Sequence, residues 1–98
     1  MNRDQVIATL REHQPELQAA GVVRLSVFGS TARDDRRPDS DVDLLAAFDE
    51  TRRISLLDVV GIEMHLSELL GQKVDLVEEG TLKPRMQRSV DAEALRAF

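Results

Sequence analysis

The order of local signals predicts an α/β (α+β) domain, a short mixed sheet of three or more strands flanked by helices. Three short apolar, largely β-branched runs, at residues 22–28, 42–48 and 74–77, are each bounded by glycine, aspartate or serine turns. The stretches before, between and after them carry apolar residues at helical spacing. A chain of 98 residues that is 42% hydrophobic and 32% charged has the composition of a packed fold and room for one core, so residues 1–98 read as a single domain.

From Asn2 to about His13 the apolar positions Val6, Ile7 and Leu10 recur as on a helix, and Leu17 and Ala20 continue the pattern. Pro15 disfavours helical geometry at Gln14, which predicts a break or kink, and Gly21 stops the segment. Val22 to Phe28 forms a strand closed by Gly29. Ser30 to Asp34 follows as a short helical turn whose first N–H groups point back to the Gly-Ser corner. The loop from Asp35 to Ser40 carries turn chemistry and charge, and Val42 to Phe48 is the second strand, with Asp41 and Asp43 at its entry. Asp49 to Arg53 is a connector. Ile54 to Leu70 is a helix ending at Gly71, with apolar residues over more than half its circumference. It therefore packs on two sides or offers apolar area to another subunit. Val74 to Val77 is a third strand and Glu78 to Gly80 a turn. The last helix runs from about Leu82 to Leu95, with Pro84 in its first turn and Met86, Val90 and Ala94 facing inward.

The formal net charge of -5 argues against a general nucleic-acid binder, which works by neutralising phosphates with a basic face. Basic residues are nevertheless grouped: Arg33, Arg36, Arg37, Arg52 and Arg53 around the Gly-Ser corner and the aspartates, and Lys73, Lys83, Arg85 and Arg88 later in the chain. There is no cysteine, hence no disulfide, thiol nucleophile or Cys-ligated zinc site. The N-terminus is polar and amphipathic, unlike a signal peptide, and no apolar run approaches a membrane span, so a cytoplasmic protein is expected. His13 and His65 lack ligand partners at helical spacing and read as solvent-facing.

The chemistry lies in two segments. Asp41 and Asp43 are one residue apart, so on a strand both carboxylates project from one face, within reach of a shared divalent cation. Asp75 stands mid-strand between apolar residues, where burial would be costly without coordination or pairing. Three such carboxylates on neighbouring strands can hold two Mg2+ ions, one activating a hydroxyl and one bracing the leaving phosphate oxygens. Gly29 lets backbone approach a triphosphate, the Ser30 hydroxyl and adjacent N–H groups donate to it, and Arg33 supplies positive charge. Each part alone has an ordinary role: a turn, a solvated edge, or a salt bridge from Asp75 to Lys73. Their occurrence together and in order points to nucleotidyl transfer with pyrophosphate as leaving group.

Gly29-Ser30-Thr31-Ala32-Arg33, Ser40-Asp41-Val42-Asp43-Leu44 and Lys73-Val74-Asp75-Leu76-Val77 resemble the signature of the minimal nucleotidyltransferases, small single-domain members of the DNA polymerase β-like superfamily. The resemblance covers nearly the whole chain and implies the small nucleotidyltransferase fold. It makes Gly29 and Ser30 the nucleotide-binding turn, Asp41 and Asp43 the metal-binding pair and Asp75 the third carboxylate, with ATP as substrate. It further implies a helical HEPN-domain toxin as partner, neutralised by transfer of AMP to one of its tyrosines. This chain contains no tyrosine, so such an acceptor belongs to another chain. One departure stands out: where the family often has glycine after the arginine, this chain has Asp34 and then Asp35. Two negative charges beside a triphosphate weaken its binding unless they point away or are offset by Arg36 and Arg37. That keeps open an alternative, neutralisation of the partner by binding alone, and a third reading, transfer to a small molecule, for which the chain has no second domain to build a pocket.

Overall fold

The computed structural model describes every residue except Arg36, Pro38 and Leu82, together with all side chains of its helices and strands but those of Met86, Ser89 and Asp91. Expectations about Arg36 as a counter-charge, Pro38 as part of the turn-forming loop, Leu82 as a helix start and Met86 as an inward residue lie outside the described residues.

The chain begins with α1 (Arg3–Glu12), which opens on a reciprocal cap in which the Asn2 side chain accepts from Gln5 N and the Gln5 side chain accepts from Asn2 N. The break predicted at Gln14 falls at His13, where α1 ends and α2 (Gln14–Ala19) begins with Pro15 in its first turn. Next come β1 (Val22–Val27), the single turn α3 (Gly29–Arg33), β2 (Val42–Phe48) and α4 (Leu56–Leu70). The α4 helix starts two residues later than the apolar pattern suggests, because Ser55 and Asp58 form a capping box, and it stops at Gly71 in a left-handed conformation. Then follow β3 (Val74–Glu78), α5 (Pro84–Glu93) and β4 (Leu95–Arg96).

The sheet order is β3-β2-β1-β4. The β1–β2 and β1–β4 pairs are antiparallel, and β2–β3 is parallel, bridged by α4 as a parallel crossover requires. The last helix therefore ends two residues earlier than expected, and Leu95 and Arg96 become a strand on the open edge of β1. There Ala97 N donates to Leu25 O and Leu25 N to Phe98 O, which satisfies backbone groups that an edge strand would leave bare.

One face of the sheet carries Val22, Leu25, Val27, Val42, Leu44, Ala46, Val74 and Leu76, all buried against Val6, Leu10, Leu17, Ile62, Leu66 and Leu70 of α1, α2 and α4. On β1 the spacing from Val22 to Leu25 is three rather than two. A register shift between Val22 and Arg24 leaves Val23 as an extra, exposed residue, so both Val22 and Leu25 face the core. By alternation the other face carries Arg24, Ser26, Asp43, Leu45, Asp75 and Val77, and Arg24 reaches Glu79 there at 2.8 Å.

The two histidines are not isolated in solvent. Both are half-buried and share one carboxylate: His13 Nδ1 contacts Glu16 Oε1, and His65 Nε2 lies 2.6 Å from Glu16 Oε2, linking α2 to α4. The His13 contact, and after it that of His65, holds the Glu16 carboxyl below its ordinary value. A carboxyl depressed in the folded state stabilises the fold above its unfolded value and loses that contribution as pH falls through the folded one. Glu16→Gln should accordingly melt below wild type at pH values just above the ordinary Glu range, and the difference should shrink as pH falls below that range. Thermal melts of the two chains across that range check this.

Candidate active site

The site is assembled where β1 ends. Gly29 begins α3 at φ +61°, a left-handed conformation open to glycine at no steric cost, and a Cβ built there would lie 2.8 Å from Asp43 Oδ2. The Asp43 carboxylate thus lies directly against the backbone of the Gly-Ser corner. Its own backbone is held twice: Phe28 N donates to Asp43 O at 3.1 Å, and Asp43 N donates to Thr31 Oγ1 at 3.2 Å. Thr31 is buried, and its role as an anchor for Asp43 was not read from the sequence. A hydroxyl one helical position beyond the Gly-Ser pair is the only sequence signal that could have suggested it. Thr31→Val keeps the shape but leaves the half-buried Asp43 N–H without its acceptor, at a cost of about 1 kcal/mol. Thr31→Ser should recover most of that loss in a denaturant titration.

Asp75 is the register partner of Asp43 across the parallel β2–β3 pair, as Val74 is of Val42, so both carboxylates leave the same face on strands about 4.8 Å apart. Its place between apolar residues in the sequence predicts a burial penalty for Asp75. In the structure it is exposed, so that penalty is absent, while its placement beside Asp43 agrees with the expectation. Asp41, half-buried and immediately before β2, has Lys73 Nζ 3.9 Å from its Oδ2, so the lysine's carboxylate partner is Asp41 and not Asp75.

The basic groups are arranged differently from the expectation. The Arg33 guanidinium is engaged by Asp35 Oδ2 at 3.2 Å and by Glu93 Oε2 of α5 at 3.1 Å, and these carboxylates, Asp35 foremost, raise its pKa above the ordinary arginine value. Asp35 is thus offset by Arg33 itself. Asp34 takes the left-handed position at the end of α3, φ +60°, which accounts for a glycine preference there, and its carboxylate accepts from Arg3 N at 3.1 Å. Arg52 and Arg53 are not near the corner. They follow the opposite end of β2, which puts them roughly 17 Å along the strand from Asp43, and Arg52 donates to Ala19 O at 2.8 Å.

Among the described residues no three Asp, Glu, His or Cys side chains converge into a ready-made metal cage. The donors at the corner are hard carboxylate oxygens, and one of them, on Asp43, lies against a backbone that carries no side chain. This suits Mg2+, which takes one or two protein carboxylates and completes its octahedron with water and substrate phosphates. The first N–H groups of α3, which have no intrahelical acceptor, adjoin the same corner.

A glycine corner packed on a strand carboxylate, with a second carboxylate in register beside it, is the framework of a nucleotide-handling transferase. The chain belongs to the nucleotidyltransferase domain family, whose model matches residues 4–97, and that makes it a nucleotidyltransferase by class. It is 38% identical over 93 residues to the protein adenylyltransferase MntA of Thermococcus cleftensis, covering 94% of this chain and 92% of that protein. A solved chain assigned as a minimal nucleotidyltransferase shares 45% identity and superposes with a TM-score of 0.79, covering 97% of this chain and 95% of that one. Two more distant structures share the fold at 18% identity. One is a toxin-antitoxin complex with AMP-PNP, TM-score 0.69, covering all of this chain and 73% of that one. The other is a tri-AMPylated Shewanella oneidensis HEPN toxin in complex with its MNT antitoxin, TM-score 0.60, covering 99% and 69%. No described helix is long and apolar enough to cross a membrane.

Proposed function

We propose that this chain is a Mg-dependent protein adenylyltransferase that moves AMP from ATP to a tyrosine hydroxyl of a HEPN-domain toxin in the cytoplasm, and so acts as its antitoxin. The observation that carries the reading is the Asp43 carboxylate packed on Gly29 with Asp75 in register beside it. The relatives support it: one is named a protein adenylyltransferase, and one structural neighbour is a complex in which the HEPN toxin is AMPylated.

Asp41 and Asp43, with Asp75 completing one site, would hold two Mg2+ ions, which when bound lower the pKa of the acceptor hydroxyl and neutralise charge on the leaving oxygens. The chain's own residues do the rest. Gly29 admits the triphosphate against the backbone, and Ser30 and the first N–H groups of α3 donate to its oxygens. The acceptor oxygen attacks the α-phosphorus, the bond to the β-phosphate oxygen breaks, and pyrophosphate leaves. Asp75, exposed at the edge of the site, takes the hydroxyl proton as the acceptor arrives from outside. Arg33 turns toward the phosphates only by exchanging its contacts with Asp35 and Glu93 for them.

That engagement of Arg33 favours one rival, neutralisation by binding alone. Co-expression with the adjacent gene product, followed by intact mass measurement of that product, separates them. A gain of AMP with wild type and none with Asp43→Ala is the expected result. Full neutralisation by Asp41→Ala/Asp43→Ala with no mass gain in either case would replace transfer by steric binding.

A further inference from the structure

The short helix α3 sets up a competition for Arg33. This residue lies four positions after Gly29 and three after Ser30, and a helical side chain leans back over the turn before its own, so an unrestrained guanidinium would overlie the Gly-Ser corner. Two carboxylates hold it elsewhere. Asp35 accepts from Arg33 Nε at 3.2 Å from behind the last turn of α3, where a helix cap fixes it: Asp34 takes the left-handed position, Asp35 N donates to Ser30 O at 3.1 Å, and Asp34 N donates to Thr31 O at 3.2 Å. Glu93, the last residue of α5, accepts from Arg33 Nη1 at 3.1 Å. Two residues on, Leu95 pairs with Val27 on the edge of β1 that faces away from β2. Glu93 is thereby anchored on the β4 side of the sheet, whereas Asp43 and Asp75 stand on β2 and β3.

One cation between two carboxylates leaves this patch negative, which opposes an incoming triphosphate. The side chains of Arg33, Asp35 and Glu93 are 49%, 59% and 39% exposed. Each contact is thus an ion pair in water that weighs only a few-fold in an equilibrium and yields to a more highly charged anion. A polyphosphate chain is such an anion and offers several oxygens to the guanidinium fork. AMP, with no β- or γ-phosphate, is not.

We propose that Glu93 is a positioning residue that withholds Arg33 from the phosphate site until a polyphosphate displaces it, and so sets both the affinity for ATP and the preference for ATP over AMP. The inference rests on the nucleotide site proposed at Gly29 and Ser30. Asp35 shares the hold but belongs to the same turn as Arg33. Glu93 arrives from 60 residues away, so it ties the state of the phosphate site to the packing of α5 on α3.

Calorimetric titration of the chain alone with Mg-ATP, and separately with AMP, tests this on variants shown to be folded by circular dichroism. Glu93→Gln should bind Mg-ATP about two- to five-fold more tightly than wild type, the weight of one exposed ion pair, and should bind AMP as wild type does. A merely structural role for Glu93 would move both ligands alike. Arg33→Gln should weaken Mg-ATP binding, and in that background the change at Glu93 should have no effect, because the side chain it restrains is gone. A gain that persists without Arg33 would mean plain repulsion by Glu93 and overturns the inference. So does a Glu93→Gln chain that binds Mg-ATP no more tightly than wild type, or gains as much for AMP, with the nucleotide site itself left standing. Binding of Mg-ATP by none of these chains would remove that site and this inference together.

Discussion

Asp43→Asn should lower AMP transfer by at least about 10³-fold, the several kcal/mol that metal-borne charge stabilisation supplies to such a transition state, and leave the chain folded. Asparagine keeps the size of the side chain that packs on Gly29, and the backbone bonds to Phe28 and Thr31 do not depend on the charge. The substitution also removes one of two like charges on directly paired positions of β2 and β3, a juxtaposition that is mildly destabilising. Loss of transfer in a chain that still folds is an outcome that a merely structural aspartate would not give. Asp75→Asn should cost less, because its carboxylate is exposed and, on the proposed function, would serve one metal site and the acceptor proton and not both metals. Rates read as mass gained by the partner protein, beside thermal melts of the same preparations, decide the matter. An Asp43→Asn chain that retains transfer within about tenfold would remove this residue from the chemistry.

The parts of this architecture governed by local rules were legible in the sequence. Glycines at positions 21, 29 and 71 mark element ends where the chain does turn, and the two-residue period predicts Asp41 and Asp43 on one strand face, whereas the place of Asp75 beside Asp43 comes from the β2–β3 register. What escaped depends on residues distant along the chain. The strand at Leu95–Arg96 is too short to show alternation and exists because β1 had an edge to cover. Val23 blurs the pattern of β1, since a bulge changes the period only in the company of its partner strand. Arg33 was assigned to phosphate on its own position, yet its present partner Glu93 lies 60 residues away and reaches it through the packing of α5 on α3. Glu16 in the same way takes His65 from α4, 49 residues away, beside His13 three residues before it. Helical spacing within one segment could not reveal that pair.

Gly29→Ala should both destabilise the fold and disable the site, and a second glycine separates the two effects. Any Cβ at φ +61° carries the left-handed penalty of about 1–2 kcal/mol. Gly71, at φ +64° behind α4, carries the same penalty but has nothing within 4 Å of the added atom. Gly71→Ala therefore reports the backbone strain alone, and it should lower the melting temperature without changing the transfer rate per folded molecule. At Gly29 the new atom also falls 2.8 Å from Asp43 Oδ2, well inside contact distance, so either the corner or the carboxylate must move. Since Asp43 is fixed through its backbone by Phe28 and Thr31, the side chain gives way first. A displacement on the order of 1 Å at a reacting centre costs about 10²-fold in rate. The expected outcome is a pair of variants with similar losses of stability, of which only Gly29→Ala loses transfer by about two orders of magnitude. Equal rates in the two would mean that the contact between Gly29 and Asp43 is a packing feature and not the geometry on which the chemistry depends.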